Sequence, residues 1–189
     1  MSGEDGKYIY IGKRRVGPGE PVFFIAEIGI NHNGNPELAR KLIDLAAECG
    51  ADAVKFQKRK LSEVYDRGAI DDIFAQDKDV QFVLDWLKRC ELSDEVFAEL
   101  AEYAWSKGLE FLCSPWDRDS VDFLERLGVR AYKIASADMT NFPLLRYVSQ
   151  TGKPLLVSTG MSDWQEIERT VEFLRQLGAP FALLHCQST

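Results

Sequence analysis

"LGVRAYKIAS", residues 127–136, holds the pattern from which the fold is read. A helical stretch closes at Gly128, and a short apolar run follows with Lys133 inside it and Ser136 at its end. Glycine suits the left-handed turn that ends a helix. The same helix-to-strand junction occurs five times, in "CGADAVKF", "KGLEFLCSP", the stretch above, "TGKPLLVSTG" and "LGAPFALLHC", with glycines at 50, 108, 128, 152 and 178. The apolar runs are nearly continuous, as expected of strands buried on both faces, and strands alternating with helices imply parallel crossover units. An open doubly wound sheet and a (β/α)8 barrel are the two architectures that fit.

The polar residues separate them. Glu27, Lys55, Ser114, Lys133, Ser136, Ser158 and His185 all fall toward the carboxyl ends of successive strands. A switch-point crevice needs only two or three functional strand ends, whereas a barrel mouth gathers all of them. No GxGxxG or Walker pattern follows the first strand, which disfavours a dinucleotide or nucleotide site. Six barrel strands are predicted, at 22–28, 52–57, 109–113, 130–135, 154–158 and 181–185. A closed barrel needs eight. The expectation is therefore an α/β chain, a TIM (β/α)8 barrel truncated after about six strands. Residues 1–21 form an N-terminal tail and hairpin that plugs the lower opening, and residues 22–189 form the incomplete barrel.

Local signals agree with this reading. Asn35 before Pro36 starts a helix whose apolar stripe is expected at Leu38, Leu42, Leu45 and Cys49. Ser93 caps another helix, with Leu92 and Phe97 spaced as a hydrophobic staple, and Ser162 with Gln165 reads as a capping box. Residues 58–79 are long and polar for a connection, so a lid or substrate loop is expected there, followed by a helix at about 80–90.

With 46% hydrophobic and 28% charged residues in 189, the chain can bury one substantial core. A net charge of -7 argues against a nucleic-acid surface, which needs clustered cations. The polar start "MSGEDGK" is no signal peptide, and no apolar run reaches the ~18 residues of a membrane span. Cys49, Cys90, Cys113 and Cys186 are scattered without a CxxC pair, which favours a reduced, cytoplasmic setting.

Lys133 raises the chemical question, because a buried ammonium is costly without an anionic partner. It either snorkels to solvent, binds a phosphate or carboxylate, or forms a Schiff base with a carbonyl substrate. Lys55 at the matching strand end, with Ser114, Ser136, Ser158 and Thr159 as hydroxyl donors, favours a cradle for a multiply charged anion. The "VSTGM" turn adds backbone N–H groups opened by Gly160. Glu27 is read as a general base or water-orienting group, or as a structural partner of one lysine, and Asp138 is similar. His32 and His185 are too few for a complete metal site. Cys113 and Cys186 read as small core residues, and Trp86, Trp105, Trp116 and Trp164 as packing.

"AEIGINHNGN", "AVKFQ", "AYKIASAD", "LLVSTGM" and "LLHCQST" together resemble, in order, the successive signatures of the sialic acid synthase family. The resemblance implies a (β/α)8 barrel followed by a small antifreeze-like domain, which is not in this chain. It implies condensation of phosphoenolpyruvate with an N-acetylated amino sugar such as N-acetylmannosamine, giving a nonulosonic acid and phosphate. A Schiff-base aldolase using Lys133 and a non-catalytic anion-binding module are the alternatives. By resemblance, Lys55, Ser114, Lys133, Ser136 and Ser158 bind phosphoenolpyruvate, Glu27 and Asp138 stand near the reacting carbons, and Ser188 occupies a further substrate position. Asp138 stands where glutamate is frequent and Ser188 where some members have asparagine, so the sugar preference is open. The resemblance also implies a divalent cation, Mn2+ or Mg2+, whose two histidine ligands lie beyond residue 189, and a domain-swapped homodimer.

Overall fold

The computed structural model describes residues 7–65 and 78–187. It opens with an antiparallel hairpin, β1 (Ile9–Ile11) and β2 (Arg14–Val16). Six parallel strands follow: β3 (Ile25–Gly29), β4 (Ala53–Lys58), β5 (Glu110–Pro115), β6 (Tyr132–Ile134), β7 (Leu155–Ser158) and β8 (Phe181–Leu184). The helices between them are α1 (Pro36–Glu48), the single turn α2 (Leu61–Val64), α3 (Lys78–Cys90), α4 (Asp94–Ser106), α5 (Arg118–Leu127), α6 (Phe142–Ser149) and α7 (Trp164–Gln176). A 3-10 turn, Ser136–Asp138, links β6 to α6.

Each strand pairs with its sequence neighbour, in the order β3-β4-β5-β6-β7-β8. A doubly wound sheet would reverse direction at a switch point, and none occurs here. The sheet is a six-strand arc of a (β/α)8 barrel. Its convex side packs Val54, Phe56, Phe111, Cys113, Tyr132, Ile134, Leu155 and Val157 against the helices.

The concave side has two tiers, because alternate residues of a strand share a face. The lower tier is apolar: Ile25, Ala53, Leu112, Ala131, Leu156 and Ala182 meet Ile9 and Ile11 of the hairpin. The hairpin thus plugs the bottom of the arc, as its position in the sequence predicts. Two residues further along the strands come Glu27, Lys55, Ser114, Lys133 and Ser158, which form the upper tier. The plug is fixed from outside by Arg14, which pairs with Asp52, while the other oxygen of Asp52 accepts from the backbone N–H of Phe24 at 2.7 Å.

Some local expectations are corrected. Helix α1 buries Ala39, Ile43 and Ala46, whereas Leu45 and Cys49 are exposed and Leu38 and Leu42 half-buried. Small alanines let the helix approach the sheet closely, so the leucine stripe flanks the contact. The capping box of α7 is Asp163 with Glu166, one residue beyond the expected Ser162 and Gln165, since Asp163 accepts from Glu166 N and Glu166 from Asp163 N. The first barrel strand begins at Ile25 and leaves residues 22–24 outside it. Most of the expected lid, residues 66–77, lies outside the described residues. Among the described residues no helix is long and apolar enough to cross a membrane.

Candidate functional site

The upper tier is where the chemistry gathers. Glu27 and Lys55 are register partners on β3 and β4, and the Lys55 ammonium lies 2.8 Å from Glu27 Oε2. Lys55 also donates to Ser114 Oγ at 3.3 Å across the β4–β5 pair. Lys133 donates to Ser158 Oγ and, at 2.8 Å, to the carbonyl of Ile134. Lys55, Ser114, Lys133, Ser136 and Ser158 line one cavity of about 240 Å³. Residues spread over four strands and the turn after β6 therefore meet in one mouth, as the strand-end pattern predicts.

The electrostatics are unbalanced. Lys55 has Glu27 beside it, but Lys133 has no carboxylate partner among the described residues. Burial, and then the like charge of Lys55, bring the Lys133 pKa down to about 8, with Cys186 and Glu27 acting in the opposite sense. Such a mouth favours an arriving anion, which would relieve both effects.

Cys186 departs from its expected place in the core. It is only partly buried, 3.5 Å from Ser136 Oγ, and its sulfur accepts from the Gly160 N–H at 3.2 Å. Burial raises its pKa, but hydrogen bonds from Ser136, Ser158 and the backbone of Gly160 and Thr159 outweigh it and bring the thiol to about 7. Cys113, by contrast, is wholly buried and its pKa is pushed up by desolvation.

Gln57, Trp116 and Met161 also line the cavity, and sequence reasoning passed over them. A signal existed for Gln57, which lies two residues beyond Lys55 on the same face of β4, while Trp116 directly follows the end of β5. Trp116 is thus a wall of the mouth rather than simple packing.

Asp138 is placed differently from the expectation. It is buried in the 3-10 turn, is not among the cavity-lining residues, and accepts from Asn141 Nδ2 at 3.0 Å. Its other oxygen has no partner among the described residues, and burial raises its pKa. Ser188 lies outside the described residues. His185 is exposed, whereas His32 is buried against Phe56 and burial lowers its pKa. Among the described residues no three His, Cys, Asp or Glu side chains form a group that could hold a metal ion.

Residues 42–189 match the NeuB family. The chain belongs to the NeuB family. It is 39% identical, over 88% of its length, to the N,N'-diacetyllegionaminic acid synthase of Legionella pneumophila. It is 35% identical, over 93% of its length, to the human N-acetylneuraminate-9-phosphate synthase. This NeuB-family chain spans about half the length of the curated relatives it matches, 49% in both of these cases. Its fold superposes with a TM-score of 0.83 on the N-acetylneuraminic acid synthetase of Leptospira borgpetersenii, solved in complex with citrate. That match has 33% identity and covers 97% of this chain and 60% of the other.

Proposed function

We propose that the chain supplies the phosphoenolpyruvate-binding part of a synthase that joins phosphoenolpyruvate to an N-acetylated amino sugar, giving a nonulosonic acid and inorganic phosphate. One observation carries this reading: Lys55 and Lys133 face one mouth that contains more ammonium than carboxylate charge. The phosphate and carboxylate of phosphoenolpyruvate supply the missing anions, and Ser114, Ser136 and Ser158 supply neutral donors. The likeness to named nonulosonate synthases supports the same reaction class.

In the reaction, C3 of phosphoenolpyruvate forms a bond to the aldehyde carbon of the open-chain sugar. Water adds at C2, the C2–O bond breaks, and phosphate leaves with the bonding electrons, the two protons of the water ending on the former aldehyde oxygen and on the phosphate. Lys55 and Lys133 hold the phosphate and carboxylate throughout and stabilise the charge on the departing phosphate. Glu27, half-exposed beside Lys55, takes the proton of the water that adds at C2. Asp138 serves the turn that presents Ser136, through its bond with Asn141. The divalent cation implied by the resemblance would polarise the aldehyde. The described residues offer no cluster to hold it, so no step is assigned to it. Calorimetric titration with phosphoenolpyruvate tests the reading, with binding expected in the wild type and lost in Lys133→Met; equal binding by both would overturn it.

A second reading rests on the same lysine. An amine with a pKa of about 8 is partly neutral near physiological pH, as a Schiff-base nucleophile must be. Borohydride in the presence of pyruvate separates the two readings, since an imine enzyme gains covalent mass at Lys133 and the synthase gains none.

A further inference from the structure

Arg59 follows β4 with its guanidinium half-buried. It lies 4.8 Å over the Trp116 ring and donates from Nη2 to Gln57 Oε1. Among the described residues no carboxylate forms an ion pair with it, and burial lowers its pKa without threatening its charge. Gln57 and Trp116 both line the mouth, whereas Arg59 lines the clefts on the other side of them with Glu91 and Leu92. Arg59 thus stands behind two walls of the mouth and touches both.

Arginine has donors and no acceptor, so the amide group of Gln57 that meets it must be the oxygen. The amide nitrogen is then the end turned away from Arg59. Gln57 Nε2 lies on the side of Gly29, where Glu27 Oε1 also sits. We propose that Arg59 is a positioning residue that fixes the Gln57 amide, oxygen toward the guanidinium and nitrogen away from it, and clamps Trp116 beside it. This inference rests on the synthase reading. Gln57 stands one strand step nearer the rim than Lys55, above the anion cradle. Its N–H groups, one step above the cradle, are placed to meet the second reactant and to select an acceptor oxygen on it. An amide carbonyl or a hydroxyl oxygen of an N-acetylated amino sugar meets that demand.

The test is a double-mutant cycle in the full-length protein, using Arg59→Met, Gln57→Ala and the pair, with N-acetylmannosamine and phosphoenolpyruvate as substrates. Arg59→Met is expected to raise the KM for the sugar roughly tenfold, the effect of losing control of one hydrogen-bonding group, and to leave the KM for phosphoenolpyruvate nearly unchanged. Because Arg59 acts through Gln57, the double variant should be no worse than Gln57→Ala alone. Arg59→Lys, which keeps a donor but not the planar stack, should recover part of the loss. Multiplicative losses in the double variant, or a rise confined to the KM for phosphoenolpyruvate, would overturn the proposal. Thermal unfolding of each variant separates a folding defect, since a variant that unfolds early in both reactants' assays would lower kcat rather than one KM. Wild-type protein that fails to bind phosphoenolpyruvate would instead sink the synthase reading itself.

Discussion

Glu27 and Lys55 sit opposite each other in the β3–β4 register, with 2.8 Å between carboxylate and ammonium. The pair is lopsided, since the lysine is buried and the glutamate half-exposed. The lysine therefore depends on the carboxylate more than the reverse, until a substrate anion arrives.

Glu27→Gln tests how that carboxylate divides its work. Removing a negative charge leaves the mouth more positive, so phosphoenolpyruvate should bind tighter, by roughly three- to tenfold at low salt. Turnover should nevertheless fall about a hundredfold if Glu27 takes the proton of the attacking water. Calorimetry and phosphate release measure the two effects separately. Weaker binding with unchanged turnover would show a merely structural partner.

Lys133→Ala should suppress phosphate release by about a thousandfold or more, because it removes the charge that neutralises the departing group. Lys133→Met keeps the length and apolar stem, so it should lose the same activity while folding at least as stably as the wild type. Near-normal turnover in either variant would remove the proposed role.

Much of this site can be read from letters alone, for a physical reason. A strand exposes alternate residues to one face, so a polar residue late in each apolar run announces a shared rim, and Lys55, Ser114, Lys133 and Ser158 all obey the rule. Asp138 and Cys186 do not lie on regular strands. A 3-10 turn buries Asp138 outside the cavity lining, and the segment after β8 brings Cys186 up to Ser136. Neither placement follows from periodicity, because it depends on how loops close. The buried face of α1 departs from the expected leucine stripe for a related reason: the helix packs through Ala39, Ile43 and Ala46, and a pattern that weights large residues overlooks small ones chosen for close approach.

The pH dependence follows from Lys133. Its pKa of about 8 means that, above that value, the free mouth has lost the ammonium that a dianion needs. Binding then restores it, so phosphoenolpyruvate should carry protons into the complex at about pH 8.5 and few at about pH 6.5. Cys186, which ionises near 7, adds a negative charge in the same range and pushes the affinity the same way. Affinity should therefore decline as pH rises past about 8, and calorimetry in buffers of different ionisation enthalpy should detect the uptake. For the ligand-free fold the sign reverses. Between about 8 and the ordinary 10.5, the unfolded state binds more protons than the native state, so stability attributable to Lys133 rises with pH. Lys133→Met, which does not bind the ligand, should flatten the stability profile.

Gly29 ends β3 at a φ of +55°, and a Cβ there would stand 2.7 Å from Glu27 Oε1 and 3.4 Å from Gln57 Nε2. Two costs are therefore superimposed in Gly29→Ala, one from the left-handed backbone and one from crowding the carboxylate that holds Lys55. Gly50 separates them, because its φ is +76° and nothing lies within 4 Å of its missing Cβ. Gly50→Ala should carry the backbone cost alone, about 1–2 kcal/mol, and leave phosphoenolpyruvate binding and turnover intact. Gly29→Ala should lose similar stability and, in addition, at least tenfold in phosphate release, since Glu27 must swing away from Lys55 to make room. Denaturant melts and phosphate release on the two variants give the comparison. Equal activity in both would mean that the position of Glu27 is unimportant to the chemistry.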